Sequence, residues 1–155
     1  MIEATLERMV GWMKDVTRRV ERLEAVETTS AGWVILPQAS RLTSTAWNGN
    51  ARSTTSPTQI DMSAVFGTPT NIDALLLLVE VRDLASAETY CWIRFDNAVP
   101  TMGTAAVRCA DVNDRWAGTQ IVVPTDANGD IYFECAASGA NTLNVILQVH
   151  GYHLR

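Results

Sequence analysis

A chain of 155 residues with 47% apolar and 19% charged residues can fold one compact domain plus an extra element, and is too apolar for general disorder. Its net charge of −5 and single lysine, Lys14, leave no clustered basic surface, so nucleic acid is not an expected partner. No apolar run reaches the roughly 18 residues of a membrane helix, and early acids replace the basic start of a signal peptide, so the expectation is synthesis in the cytoplasm without a signal and no membrane insertion.

Residues 1–27 read as a coiled-coil stalk. Their apolar positions are Ile2, Leu6, Met9, Met13, Val16, Val20 and Leu23, spaced four, three, four, three, four, three. That repeat averages about 3.5 residues and makes the seam of a left-handed coiled coil. Leu6, Met13 and Val20 take position a; Ile2, Met9, Val16 and Leu23 take position d, and Glu27 ends the seam at the next a. Parallel dimers favour β-branched residues at a and Leu at d. Here Ile2 and Val16 put β-branching at d and Leu6 is at a, which tilts the segment toward three or more strands. Arg19 and Glu24 flank the seam at g and e, and "RVERLE" resembles the Arg-h-x-x-h-Glu pattern, h being apolar, of parallel trimeric coiled coils. Gly11 costs about 1 kcal/mol relative to Ala, and so short a seam is marginal on its own. Trp12 and Val10 widen its apolar surface, either for packing between helices or for docking on a larger assembly. A single helix folded back on the rest of the chain is the competing reading.

Residues 28–32, "TTSAG", form a polar linker, and residues 33–155 read as a β-sandwich head domain. The apolar period changes to two after the linker. Candidate strands are "WVILP", "RLTSTAW", "ALLLLVEVRD", "TYCWIRFD", "TAAVRCA", "TQIVVP", "DIYFECAA" and "TLNVILQVHGYHLR". Asn128-Gly129 reads as a hairpin turn, and "ASGANT" as another turn. About eight strands without an intervening helical pattern give a mainly β fold, an antiparallel jelly-roll-like sandwich carried on a parallel trimeric coiled-coil helix.

One strand face is uniformly apolar and predicts the core: Leu75, Leu77, Val79, Val81, Cys91, Ile93, Phe95, Ile131, Phe133, Cys135, Leu143, Val145, Leu147 and Val149. The opposite face carries Leu76, Leu78, Tyr90, Trp92, Tyr132, Ile146 and Tyr152, mixed with charge. That composition predicts an inter-subunit face rather than a solvated one. Both halves of the chain thus point to a homotrimer.

Signals for chemistry are weak. Cys91, Cys109 and Cys135 sit singly in apolar runs, which predicts small buried residues rather than zinc ligands or disulfides. His150 and His153 would point to opposite sides of a strand. Asp126, Asn128 and Asp130 alternate as in a calcium loop, but the rest of the twelve-residue pattern is absent and a turn explains them. There is no nucleophile elbow, P-loop or dinucleotide fingerprint. No catalytic residue, cofactor or metal is expected. Two loops are candidates for a sugar ligand, through Trp47, Asn48 and Asn50 in "AWNGNAR" and Asp114 and Trp116 in "CADVNDRW". Structural tryptophans beside polar turns explain the same residues.

The stretches "ATLERMVGWMKDVTRRVERLEAVE", "ARSTTSPTQIDMSAVFGTP" and "DRWAGTQIVVPTDANGDIYFECAASGANTLNVILQVHGY" resemble small phage and prophage appendage proteins with a short N-terminal coiled coil and one β-sandwich. The resemblance implies a non-enzymatic bacteriophage virion structural protein. It would be a homotrimeric short fibre or tail appendage, joined to other virion proteins through its N-terminal stalk and displaying its β-domain to host-surface glycans. A capsid decoration or head fibre that ornaments the particle, and a trimeric binding module outside a virus, are the alternatives. A stalk that begins at Met1, without a large attachment region, favours a short fibre or decoration over a long tail fibre. A glycan-degrading head is a third class; it would need a carboxylate pair in a groove between subunits.

Overall fold

The computed structural model describes residues 32–85, 91–98, 105–110 and 114–155. The stalk heptads, including Ile2, Leu6, Met9, Met13, Val16, Arg19, Val20, Leu23 and Glu24, lie outside the described residues. Gly32–Arg155 forms one compact unit.

Eight strands are present among the described residues: β1 (Gly32–Ile35), β2 (Thr55–Ile60), β3 (Ile72–Asp83), β4 (Trp92–Asp96), β5 (Ala105–Arg108), β6 (Ala117–Pro124), β7 (Ile131–Ala136) and β8 (Leu143–Leu154). They make two four-stranded antiparallel sheets, in the orders β1-β8-β3-β6 and β2-β7-β4-β5. Within them β1 pairs β8, β2 pairs β7, β3 pairs β6 and β4 pairs β5. A long hairpin rolled up on itself gives those pairings, so the chain is a mainly β sandwich of jelly-roll type.

The inward face follows the alternation. Leu75, Leu77, Val79 and Val81 of β3, Ile93 and Phe95 of β4, Ile131, Phe133 and Cys135 of β7 and Leu143, Val145, Leu147 and Val149 of β8 are all buried. "LLLL" at 75–78 alone fits helix or strand; pairing with β6 on one side and β8 on the other decides it. Cys91, Cys109 and Cys135 are buried, as expected, and burial first, then Cys91 and Asp83, pushes the Cys109 thiol up to about 12.

Three expectations need correction. "RLTSTAW" is not a regular strand. Residues 42–52 instead form an irregular strap along β8, with bridges Leu42–Val149 and Arg52–Leu143 and a bond from Val145 N–H to the Gly49 carbonyl (2.9 Å). The strap covers the edge of β8 that β1 leaves open. The strand missing from the reading is β2, "TSPTQI", whose register shifts between Thr55 and Thr58 around Pro57. Proline without an N–H and a polar sequence are compatible with a strand at a sheet edge, and β2 is such a strand. Finally, the turn at Asn128-Gly129 does form, with Gly129 at φ 85°, but it carries the chain from β6 in one sheet to β7 in the other. It is an inter-sheet connection rather than a hairpin.

A short helix, α1 (Met62–Phe66), precedes β3. Asp61 caps it by accepting from the Ala64 N–H (2.8 Å), and Gly67 ends it in the left-handed region. Its Met62 and Phe66 join the core. The buried Asp130 carboxylate receives the Met62 N–H (3.0 Å) and the Gln59 amide (3.1 Å), tying β2 and α1 to the start of β7.

Candidate interaction face

The outward side of the β1-β8-β3-β6 sheet is the unusual surface. Strand register places Ile35 of β1, Gly151 of β8, Leu76 of β3 and Val122 of β6 in one row across all four strands. Beside it, Trp33 pairs with His153. Of the six large apolar side chains exposed among the described residues, four belong to this face: Ile35 (61% exposed), Val122 (51%), Trp33 (45%) and Ile146 (38%). A fifth, Trp116, stands at its rim, where the Arg82 guanidinium lies 4.8 Å above its ring.

The rows are held by polar contacts. Leu78 has Gln148 on one side and Gln120 on the other. The buried His150 imidazole bridges those two amides: its Nδ1 accepts from Gln120 (2.7 Å), and its Nε2–H points to Gln148 Oε1 (3.3 Å). Trp33 packs edge-on against His153 (5.5 Å), which in turn meets the Asp73 carboxylate (2.7 Å). At the opposite end Arg82 pairs with Asp114 (3.0 Å).

A β-bulge shapes this face. Leu76 is opposite Gly151 while Leu77 is opposite Val149, so His150 is the extra residue. Both His150 and Gly151 therefore lie on the outward side. Gly151 is required there, because a Cβ would sit 2.6 Å from the Val34 carbonyl oxygen. The bulge also inverts the parity of the last residues of β8, so Tyr152, expected on the outer face, faces Leu75 and packs against the core.

The other expected members of the inter-subunit face divide. Leu76, Leu78 and Ile146 are together on the face just described. Trp92 and Tyr132 belong to β4 and β7, on the outward side of the other sheet. There Arg94 pairs with Glu134 and lies 4.3 Å over the Trp92 ring, and no large apolar side chain is exposed among the described residues. Tyr90 lies outside the described residues. The sequence reading missed Trp33, Ile35 and Val122. The signal was present, since alternation in "WVILP" and "IVVP" puts them on the side opposite Val34 and Val123.

The two candidate ligand loops reach the same end of the sheet. Asn144, opposite Arg82 on β8, accepts from the Ala51 N–H of the strap (2.9 Å), while Arg82 meets Asp114 and Trp116. Asn48 and Asn50 are exposed, joined by a bond from the Asn50 N–H to Asn48 Oδ1 (3.0 Å). Trp47 is only partly exposed. It packs on the core with its ring edge-on to Phe133 (5.0 Å) and Arg52 4.3 Å over it. Trp116 is the aromatic group left accessible at this end among the described residues.

Burial first, then the nearby Arg41 charge, lowers the His150 pKa. The neutral ring is also the form that accepts from Gln120. A folded pKa below the unfolded value of about 6.5 means that the stabilisation is complete above that pH and is lost as pH falls toward the folded pKa. Urea midpoints of the full-length protein should therefore drop between pH 7.5 and 5.0, and His150→Asn should flatten that drop. Equal slopes for the two proteins would reject the assignment.

Among the described residues no helix is long and apolar enough to cross a membrane, and no group of three His, Cys, Asp or Glu is placed to hold a metal ion. Among the described residues, fold and surface together define an eight-stranded antiparallel sandwich with one exposed apolar sheet face. No family model matches the sequence, and no curated protein matches it. Among solved structures the chain is similar to the coat protein of Tobacco streak virus, at 8% identity and a TM-score of 0.43 over 76% of this chain and 88% of that one.

Proposed function

We propose that this protein is a non-enzymatic structural component of a bacteriophage virion. It is a homotrimeric short fibre or tail appendage in which residues 1–27 form the coiled coil that aligns three β-sandwich heads. The observation that carries the reading is the unbroken four-three repeat from Ile2 to Leu23 ahead of a sandwich of independent core. The three sequence stretches that resemble phage appendage proteins support the virion setting, as a protein of the particle attached through its stalk. Display toward host glycans is supported by the rim of the head, where the exposed ring of Trp116 lies under the Arg82 guanidinium, which in turn pairs with Asp114. Aromatic rings flanked by polar groups are the usual means of gripping sugars. The exposed apolar sheet face favours one alternative within the same class, a capsid decoration that lies on the particle.

Light-scattering mass after size exclusion tests the assembly. The expected result is a particle three times the mass of the 17.0 kDa chain. A full-length monomer at tens of micromolar would remove the fibre reading. Host-cell adsorption separates the two virion roles. Binding that Trp116→Ala abolishes supports the displayed fibre; no adsorption by the intact trimer supports the decoration.

A further inference from the structure

We propose that the outward face of the β1-β8-β3-β6 sheet is where copies of this chain pack against each other, with Ile35 and Val122 at its centre and Trp33 and Ile146 beside them. The proposal rests on the trimeric reading above and adds which surface of the head is buried between subunits.

Three observations select another copy of this chain as the occupant. First, the described structure starts at Gly32, the first residue of β1, and 31 residues with a coiled-coil seam precede it. The linker 28–32 spans at most about 17 Å when extended. Three chains joined by a parallel coil therefore have their β1 strands tethered close together, and β1 is the edge strand that presents Trp33 and Ile35. Second, the face suits a meeting with its own copies electrostatically. Asp73 meets His153, Arg82 meets Asp114, and Glu80 lies over Gly118, where an added Cβ would fall 2.7 Å from its Cγ. The two central rows, Ile35–Gly151–Leu76–Val122 and Gln148–Leu78–Gln120, carry no charged side chain, so copies that meet there bring no like charges together although the chain carries −5. Third, the outward side of the other sheet exposes no large apolar group among the described residues, so the asymmetry is between two faces of one domain. Exposed apolar bands ringed by polar groups mark association surfaces.

The stalk is too short to hold three chains firmly. A second contact between heads supplies what it lacks, and its loss is measurable. The test uses the full-length protein with Ile35→Glu and Val122→Glu combined. Both side chains are largely in solvent in the single chain, so the sandwich should keep its circular dichroism. A milder pair, Ile35→Ser with Val122→Thr, guards against misfolding. Ala106→Glu, at an exposed position of β5 in the other sheet, is the control.

Light scattering over a dilution series is expected to show wild type and the control as trimers. The glutamate pair should dissociate at concentrations at least about tenfold higher, and the milder pair in between. A trimer of wild type that both pairs leave unchanged would overturn the proposed face and leave the coiled-coil trimer standing. A monomeric wild type would overturn the trimer and this proposal with it. Weakening by the control equal to that of the glutamate pair would also reject the face, since a change of charge anywhere would then suffice.

Discussion

Asp83→Asn should lower the unfolding free energy of the full-length protein by about 2 kcal/mol. Asp83 ends β3 and is 2% exposed. Its Oδ1 accepts from the Ala85 N–H (3.0 Å) and the Ser138 hydroxyl (2.6 Å), and its Oδ2 from the Ser138 N–H (3.0 Å) and the Thr142 hydroxyl (3.0 Å). Through the three bonds from Ser138 and Thr142 one carboxylate fastens the β7–β8 connection, which passes from one sheet to the other, onto the end of β3. Burial alone would raise the pKa; the four donors outweigh it and bring it down to about 2. With the folded pKa below the ordinary 3.8, the stabilisation is fully present above that pH and is lost as pH falls through about 2. Asn keeps one acceptor but turns an amide N–H toward donors that already point inward. Guanidinium unfolding of both proteins at pH 7, repeated between pH 4 and 2.5, checks the value and its sign. Equal midpoints at pH 7, or a wild-type midpoint that does not fall in acid, would reject this account.

Gly49→Ala is expected to cost about 3 kcal/mol, toward the upper end for a single added methyl group. A Cβ at Gly49 would lie 1.9 Å from the Val145 carbonyl oxygen and 2.9 Å from its carbon, and neither atom can swing aside because both are backbone of β8. Relief requires the strap to lift. That strains the Val145–Gly49 bond, the Ala51–Asn144 bond and the paired bonds of Arg52 with Leu143. It also disturbs the stack beneath, where the Arg52 guanidinium lies 4.3 Å over Trp47 and 4.8 Å over Phe133. Burial disfavours the Arg52 cation and lowers its pKa, partly opposed by Cys135, and the two rings face the charge where water is excluded. The measurement is the denaturant midpoint, read by tryptophan fluorescence and by circular dichroism. Fluorescence should change at lower denaturant than circular dichroism if the strap leaves first. A variant as stable as wild type would mean that the strap is not fastened at Gly49.

Much of the core was legible because alternation carries it. In "CWIRF" and "IYFEC" every second residue is apolar and ends up inside, with Cys91, Ile93, Phe95, Ile131, Phe133 and Cys135 all buried. Helix α1 was legible in principle: Asp61 at the cap and Gly67 past the end bracket "MSAVF", but a helix of five residues is too short to show a period. The strap and β2 exchanged their readings for a physical reason. "RLTSTAW" alternates, yet its partner on β8 is met only at intervals; "TSPTQI" does not alternate, yet its main chain pairs with β7 through a register shift. Main-chain pairing, invisible to side-chain pattern, decided both. The candidate face was half legible, in Leu76, Leu78 and Ile146, because a strand reports its own two sides and not which neighbour it will join.

The chain's sequence by itself determined the apolar side of each regular strand, the burial of the cysteines and the turn at Asn128-Gly129. These are local properties, set by the spacing of side chains along one backbone. Tertiary structure alone decided that β6 and β7 part into different sheets, so that Trp92 and Tyr132 lie away from Leu76. It alone decided that Ile35 shares a row with Val122, residues some ninety positions apart, with Trp33 in the next row, because β8 and β3 stand between them. It also turned Tyr152 inward. A side-chain period of two assigns a face only while the count is unbroken, and one extra residue at His150 reverses every assignment that follows it.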